Sequence, residues 1–253
     1  MPELPEVETI VRGLKTLEGC RILAAEIKDP KLRPPLSALE LPKRIKGVQR
    51  RGKYIVFTLD RGFLVFHLRM TGKLIVAEFP ASEARVVFDL DKGYLSFLDR
   101  RRLATVDYTP ELRLALGPEP LGDLSWLPEA LKGSRRPIKL WLLDQKNIAG
   151  IGNIYAAEIL FTAGIDPRRP ANSLSPKEIQ RLQSAIGEVL EKAIAHRGTT
   201  FSDYRDPSGN PGGFQDLLRV YRRAGEACPR CGAVIDRIEM GGRGTYFCPR
   251  CQR

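Results

Sequence analysis

Two cysteine pairs, Cys228-Pro229-Arg230-Cys231 and Cys248-Pro249-Arg250-Cys251, constrain the fold of this chain more than any other stretch. Sixteen residues (232–247) separate them. In a reducing compartment this spacing reads as one structural zinc site of four thiolates rather than as disulfides. Gly232, Gly241, Gly242 and Gly244 suit the tight turns of a β-hairpin between the two knuckles. A module of that size folds only around its metal. The fifth cysteine, Cys20, stands alone and reads as a small buried filler.

The 253 residues suffice for one large or two medium domains, each with its own core. Hydrophobic content is 43%, and no apolar run approaches membrane-spanning length. The start lacks the basic-then-apolar pattern of a signal peptide, so a cytoplasmic, reducing setting without a membrane partner is expected. Forty-one basic residues against 30 acidic ones give a net charge of +11, and the isoelectric point is near 9.6. Such an excess points to a polyanion, nucleic acid above all. Lys43, Arg44, Lys46, Arg50, Arg51 and Lys53 cluster without an intervening acid. That run is either a solvated loop or, beside a strand edge, a phosphate track.

Hydrophobic spacing predicts a helix over 5–17, with Val7, Ile10, Val11, Leu14 and Leu17 on one face. Alternating segments follow at Ile22–Ile27, Tyr54–Leu59, Phe63–Leu68, Leu74–Phe79, Arg85–Leu90 and Tyr94–Leu98. Turn signals at Asp60-Arg61-Gly62 and Asp91-Lys92-Gly93 separate them, predicting antiparallel strands in a sandwich or flattened barrel. Gly117–Gly122 reads as a linker. Helices are expected over Ile138–Gln145, Asn153–Ala163 and Ser175–His196, the last opened by a capping signal at Ser175 and Glu178. Gly150 and Gly152 form either an interhelix turn or a backbone site for phosphate. Arg205–Phe214, rich in Gly, Pro, Ser and Asn, reads as a loop.

The N-terminus, Pro2-Glu3-Leu4-Pro5-Glu6-Val7, has two readings. Prolines suit a first helical turn, and Glu3, Glu6 and Glu8 would complement its dipole. Alternatively, trimming of Met1 leaves a secondary amine beside a carboxylate. An α-amino group titrates near pH 7.7–8.0 against about 10.4 for lysine, so it offers on the order of a few hundred times more free amine at neutral pH. Attack on an electrophilic carbon would give an iminium whose nitrogen has no proton to lose, a cationic electron sink.

The Pro2–Thr9 stretch, the Arg51-Gly52-Lys53-Tyr54 turn and His67-Leu68-Arg69-Met70-Thr71-Gly72 form an ordered set of motifs. Asp144-Gln145-Lys146, Gly150–Tyr155 and Arg243–Cys248 continue it. Together they resemble the bacterial formamidopyrimidine-DNA glycosylases, essentially end to end. The sister branch, endonuclease VIII, shares the start, the helical motif and the zinc hairpin, but Leu4–Thr9 looks closer to the formamidopyrimidine branch.

The resemblance implies an α+β architecture. An N-terminal antiparallel β-sandwich with a leading helix would span 1–116, with a linker over 117–136. A helix–two-turns–helix domain over 137–220 would carry a lesion loop near 205–214, and a zinc β-hairpin finger would fill 221–253. It further implies a monomer that flips a damaged base out of double-stranded DNA carrying oxidised bases or abasic sites. Pro2 would attack C1′ of the sugar, Glu3 would act as general acid/base, and Glu6 would support the site. Lys53 would either reach a phosphate beside the lesion or assist protonation of the leaving base. His67, Asn153 and Arg243, with Lys139 behind them, would grip phosphates, while Cys228, Cys231, Cys248 and Cys251 hold the zinc.

Three residues of the family fill the void left by the extruded base: a methionine, an arginine and a phenylalanine. Met70 and Arg101 match the first two, but Leu103 stands where the aromatic would be. Arg100 replaces a usual proline and Arg69 a usual glycine. The expected activity is excision of oxidised purines followed by strand cleavage. The alternatives are preference for oxidised pyrimidines, as in endonuclease VIII, or damaged-DNA binding without catalysis.

Overall fold

Eight antiparallel strands dominate the first half of the chain: β1 (Arg21–Ile27), β2 (Lys43–Arg51), β3 (Tyr54–Leu59), β4 (Phe63–His67), β5 (Gly72–Ala77), β6 (Val86–Leu90), β7 (Gly93–Asp99) and β8 (Thr105–Thr109). The structure, a computed structural model, describes residues 1–253. Strand order is β5-β7-β6-β1-β2-β3-β4-β8. Between β1 and β2 only Arg21↔Arg44 and Ile22↔Lys43 pair, whereas β2 and β3 pair from Ile45↔Leu59 to Arg51↔Tyr54. The sheet therefore splits at β1–β2 into two four-stranded halves. They face each other: the Phe66 ring of one half meets Phe88 at 6.1 Å and Phe97 at 5.5 Å in the other, edge to face. Of the two expected architectures, the chain adopts the sandwich.

Strand β2 occupies the basic run. Lys43, Ile45 and Val48 point inward while Arg44, Lys46 and Gln49 are exposed, with an irregularity at Gly47 that shifts the register. A buried lysine and a bulge hide the alternation in the sequence; the Lys43 ammonium lies 5.5 Å from the centre of the Tyr108 ring. Helix α1 (Leu4–Leu14) buries Leu4, Val7, Ile10, Val11 and Leu14. Its expected last turn is instead a 3-10 turn, Lys15–Leu17, that still buries Leu17. A one-turn helix, α2 (Arg33–Leu36), buries Leu36.

Residues 196–215 group with 1–114 in the first of two units, although chain order sets them among the helices. They are held by Glu6, whose carboxylate accepts from the Thr199 N–H at 2.7 Å, and by Tyr204, which packs against the sandwich core.

The second unit, 115–195 with 216–253, holds α3 (Leu127–Lys132), α4 (Ile138–Leu143), α5 (Asn153–Ala163) and α6 (Pro176–Ala195). Helix α5 is apolar and buried nearly all round, so it is the centre of this unit. It stops at Gly164, whose φ of +71° allows the N–H to turn back to Leu160 and Phe161 carbonyls. The expected cap of α6 forms: Ser175 N–H donates to Glu178 Oε2 at 2.8 Å. Strands β9 (Asp236–Met240) and β10 (Arg243–Phe247) make the hairpin, with Met240 opposite Arg243. No helix is long and apolar enough to cross a membrane.

Candidate active site and nucleic-acid interface

Helix α1 starts with a reciprocal cap. Glu3 N–H donates to Glu6 Oε2 at 2.7 Å, and Glu3 in turn accepts from the Glu6 backbone. Glu6 Oε1 takes the Thr199 N–H, so one buried carboxylate fastens both the chain start and the 196–215 segment. Gly198 makes this approach possible. At φ +75°, a Cβ there would stand 2.5 Å from Glu6 Oε1.

Pro2, Glu3 and Glu6 are all buried. Burial pushes the Met1 α-amine below its usual 8.0; Glu3 and Glu6 oppose this, while Lys53 lowers it further. Lys53 is itself buried in the β2–β3 turn, where Gly52 takes φ +56° between the Arg51↔Tyr54 pair. Arg50 ties this turn to α1, donating from Nε to Glu8 Oε2 at 3.0 Å and from Nη1 to the Gly52 carbonyl at 3.2 Å.

His67, at the end of β4, packs edge-on against Tyr54 at 4.6 Å. Its Nδ1 accepts the Arg69 N–H at 3.1 Å, leaving Nε2 to carry the ring proton. Burial, then Arg69 and Lys53, bring its pKa down to about 4, so the ring is neutral at pH 7. The structure thus gathers the start of α1, Lys53 and His67 within mutual electrostatic reach.

Met70 and Leu103 are large apolar side chains left 44% and 48% exposed on two adjoining turns. The turns meet because Gly72 of β5 pairs with Asp99 of β7. Thr71 Oγ1 donates to Asp99 Oδ1, and Arg101 N–H is shared between Thr71 Oγ1 at 3.3 Å and Asp99 Oδ1 at 3.2 Å. Asp99 Oδ2 takes the Ala104 N–H at 2.6 Å, and Arg85 Nη1 donates to the Ala104 carbonyl at 2.9 Å. Arg85 also donates to Asp29 at 2.8 Å, and Arg102 donates to the same carboxylate. These interactions hold Asp29 far below the usual carboxylate range, the Arg102 bond foremost. The ion pairs that join Asp29, Arg85, Asp99 and Arg102 carry no local signal in the sequence, because the paired side chains lie 14 to 73 positions apart.

In the second unit, Asn153 at the start of α5 donates from Nδ2 to the Gly244 carbonyl at 3.1 Å. Lys139 donates to the same carbonyl at 3.1 Å and to Thr245 Oγ1 at 2.6 Å. It is 0% exposed, so as placed it acts on the hairpin and has no open path to a phosphate. Arg243 is exposed at the turn, where Gly241 and Gly242 both take positive φ, as a two-residue hairpin requires. The Gly150 N–H is already donated to Gln145 Oε1 at 2.9 Å, and Gly152 is the N-cap residue of α5. Glu158, on the same helix as Asn153, accepts three backbone N–H groups, from Arg219, Val220 and Tyr221.

The four cysteines suit zinc. Their sulfurs lie within 4.8 Å of one another, with Cys228–Cys251 at 3.9 Å and Cys231–Cys248 at 3.5 Å. A tetrahedron with Zn–S bonds of about 2.3 Å has edges near 3.8 Å. Backbone N–H groups of Arg230 and Cys251 point at the sulfurs of Cys228 and Cys248, both at 3.4 Å, and would stabilise thiolate charge.

Comparison with known proteins agrees with this geometry. Residues 1–106 match the formamidopyrimidine-DNA glycosylase N-terminal domain, 116–205 the formamidopyrimidine-DNA glycosylase H2TH domain, and 225–253 a zinc finger found in FPG and IleRS. The formamidopyrimidine-DNA glycosylase of Moorella thermoacetica is 49% identical over 260 residues, covering 94% of each chain. That of Chloroflexus aurantiacus is 45% identical over 271 residues, covering 100% of this chain and 98% of its own. Among solved structures, MutM (FPG) from Thermus thermophilus superposes with a TM-score of 0.90 at 42% identity, over 99% of this chain and 98% of its own. Lactococcus lactis Fpg in complex with DNA containing an abasic site gives a TM-score of 0.89 at 36% identity over 99% of both chains. The chain belongs to the formamidopyrimidine-DNA glycosylase family.

Proposed function

We propose that this protein is a bifunctional DNA glycosylase and abasic-site lyase that excises oxidised purines, 8-oxoguanine and formamidopyrimidines, from double-stranded DNA. The observation that carries the reading is the buried chain start, where a carboxylate and a lysine surround an amine that burial makes less basic. With Met1 removed, the secondary amine of Pro2 becomes the terminus one residue deeper. Its lone pair forms a bond to C1′ of the flipped nucleotide, and the bond from C1′ to the base breaks as the base nitrogen takes a proton. Opening of the sugar ring at C1′ gives the iminium and a hydroxyl at C4′.

Glu3 donates and then accepts protons in these steps, and Glu6 fixes Glu3 and the Thr199 backbone around it. Loss of the proton at C2′ expels the 3′ phosphate, and a second elimination expels the 5′ phosphate. Lys53 contacts the phosphate beside the lesion or supplies the proton to the leaving base. His67 donates through Nε2, Asn153 through the second proton of Nδ2, and Arg243 as a cation, all to backbone phosphates. Met70, Arg101 and Leu103 fill the vacated stack. Lys139 positions Gly244 for this task. Cys228, Cys231, Cys248 and Cys251 would hold the zinc, which would balance the charge of four thiolates and crosslink the hairpin. Action on the bacterial chromosome places the protein in the cytoplasm at the nucleoid, as a monomer.

Borohydride added during reaction with lesion duplex should trap one covalent adduct at the N-terminus, and Pro2→Gly should suppress it. A parallel nicking panel should rank 8-oxoguanine and formamidopyrimidine above thymine glycol. Absence of adduct with both lesion and abasic duplex would leave a binding protein without catalysis. A preference for thymine glycol would assign the pyrimidine branch.

A further inference from the structure

Four residues other than glycine adopt left-handed backbone, and all four are arginines: Arg69 (φ +49°), Arg102 (φ +55°), Arg197 (φ +60°) and Arg222 (φ +63°). A Cβ makes this region unfavourable, and glycine, asparagine or aspartate usually take it. Arg102 has an internal reason for its place, the paired bonds to Asp29. Arg69 has none of that kind. Its side chain is exposed and forms no hydrogen bond or ion pair. Only its backbone N–H is used, for His67 Nδ1, and a glycine would provide that donor without strain.

The charge at Arg69 is also badly placed for the protein by itself. After burial, the foremost cause, Arg69 and Lys53 both disfavour a proton on His67, so Arg69 adds its charge to a turn where Lys53 is already a cation. Arg100 and Arg101, exposed and without ion pairs, stand on the neighbouring turn that Thr71 and Asp99 hold against it. Strained backbone and like charges with no internal partner both call for an external anion. The site lies at the foot of Met70, beside Leu103.

Resting on the DNA-repair reading above, we propose that Arg69, with Arg100 beside it, binds a backbone phosphate of the duplex at the base of the Met70–Leu103 wedge. These cations supply electrostatically part of the grip that an aliphatic Leu103 cannot supply by stacking.

The test is fluorescence anisotropy with a duplex containing a tetrahydrofuran abasic analogue, titrated between about 50 and 200 mM KCl. Wild type, Arg69→Gly, Arg69→Gln, Arg69→Lys and Arg100→Gln are compared. Loss of one phosphate contact should reduce the slope of log K against log salt by about 0.9 and weaken binding several-fold. Arg69→Lys should keep the slope, and Arg69→Gly should melt no lower than wild type, since glycine takes this φ freely. Unchanged slope and affinity in Arg69→Gly and Arg69→Gln would overturn the proposal, as would a slope lost only together with melting temperature. A wild-type protein that fails to bind the duplex at any salt would instead remove the DNA-repair reading on which it rests.

Discussion

Replacing Glu6 with glutamine tests the latch on which the proposed chemistry depends. Both carboxylate oxygens accept buried backbone donors, Oε2 from Glu3 and Oε1 from Thr199, each at 2.7 Å. Glutamine keeps one oxygen and turns an NH₂ toward the other donor, so one buried N–H loses its acceptor. An unsatisfied buried donor costs about 1–3 kcal/mol. The loss should fall on the 196–215 segment before the helix, because Glu3 retains its place in the capping turn. Hydrogen exchange at the Thr199 amide should accelerate about 5- to 150-fold, since each 1.4 kcal/mol is a factor of ten. The first unit should melt lower by about 2–4 °C for each kcal/mol. Borohydride-trapped adduct should fall in parallel, because the same carboxylate orients the chain start. Unchanged Thr199 exchange with full adduct yield would refute the latch. Gly198→Ala, which sets a Cβ 2.5 Å from Glu6 Oε1, should reproduce the effect without touching the acid.

His67 should titrate near pH 4 and stay neutral, with its proton on Nε2, from pH 5.5 to 8. Because its folded pKa lies below the unfolded value of about 6.5, its burial costs stability as pH falls from about 6.5 toward 4. Imidazole nitrogen NMR checks this, and a midpoint near 6.5 contradicts it. The protein should contain one zinc per chain, and Cys248→Ser should lose both the metal and duplex binding while the sandwich stays folded; metal analysis with circular dichroism would show it, and retained binding without zinc would defeat the rigid-hairpin role. Leu103→Phe should tighten binding to an abasic duplex, since base–aromatic stacking contributes about 1–3 kcal/mol and the side chain is already half exposed; weaker or equal affinity would show that this position does not meet the stack.

Much of this molecule is legible in order along the chain, and the part that is not has identifiable physical causes. Helix α1, six of the eight sandwich strands, the capped helix α6 and the cysteine cluster announce themselves through apolar period, turn residues or ligand spacing, all local signals. Strand β2 escapes because a buried lysine and a bulge interrupt its alternation, and β8 because only Val106 in it is fully buried. Proline and two glutamates at the chain start are consistent with an ordinary helix cap, and they do form one. Only the burial of that cap, and the Thr199 amide brought to it from 193 positions away, sets it apart from a surface helix.

The same holds at each turn that presents a proposed functional side chain. Asp99 and Arg85 fasten the Arg101–Leu103 turn, Lys139 and Asn153 fasten Gly244 beside Arg243, and Glu158 fastens the backbone leading into the finger. In each case a polar or charged group donates to or accepts from the backbone at or beside the exposed residue. Such a bond fixes position without specifying the turn's own side chain, so the residue exposed there can change while its location stays. Leu103 and Arg69 are consistent with that freedom: each departs from the expected residue on a turn whose backbone contacts are intact. Lesion preference should therefore respond to the exposed residues of these turns. Removing a buried anchor such as Asp99 or Lys139 should impair every substrate alike.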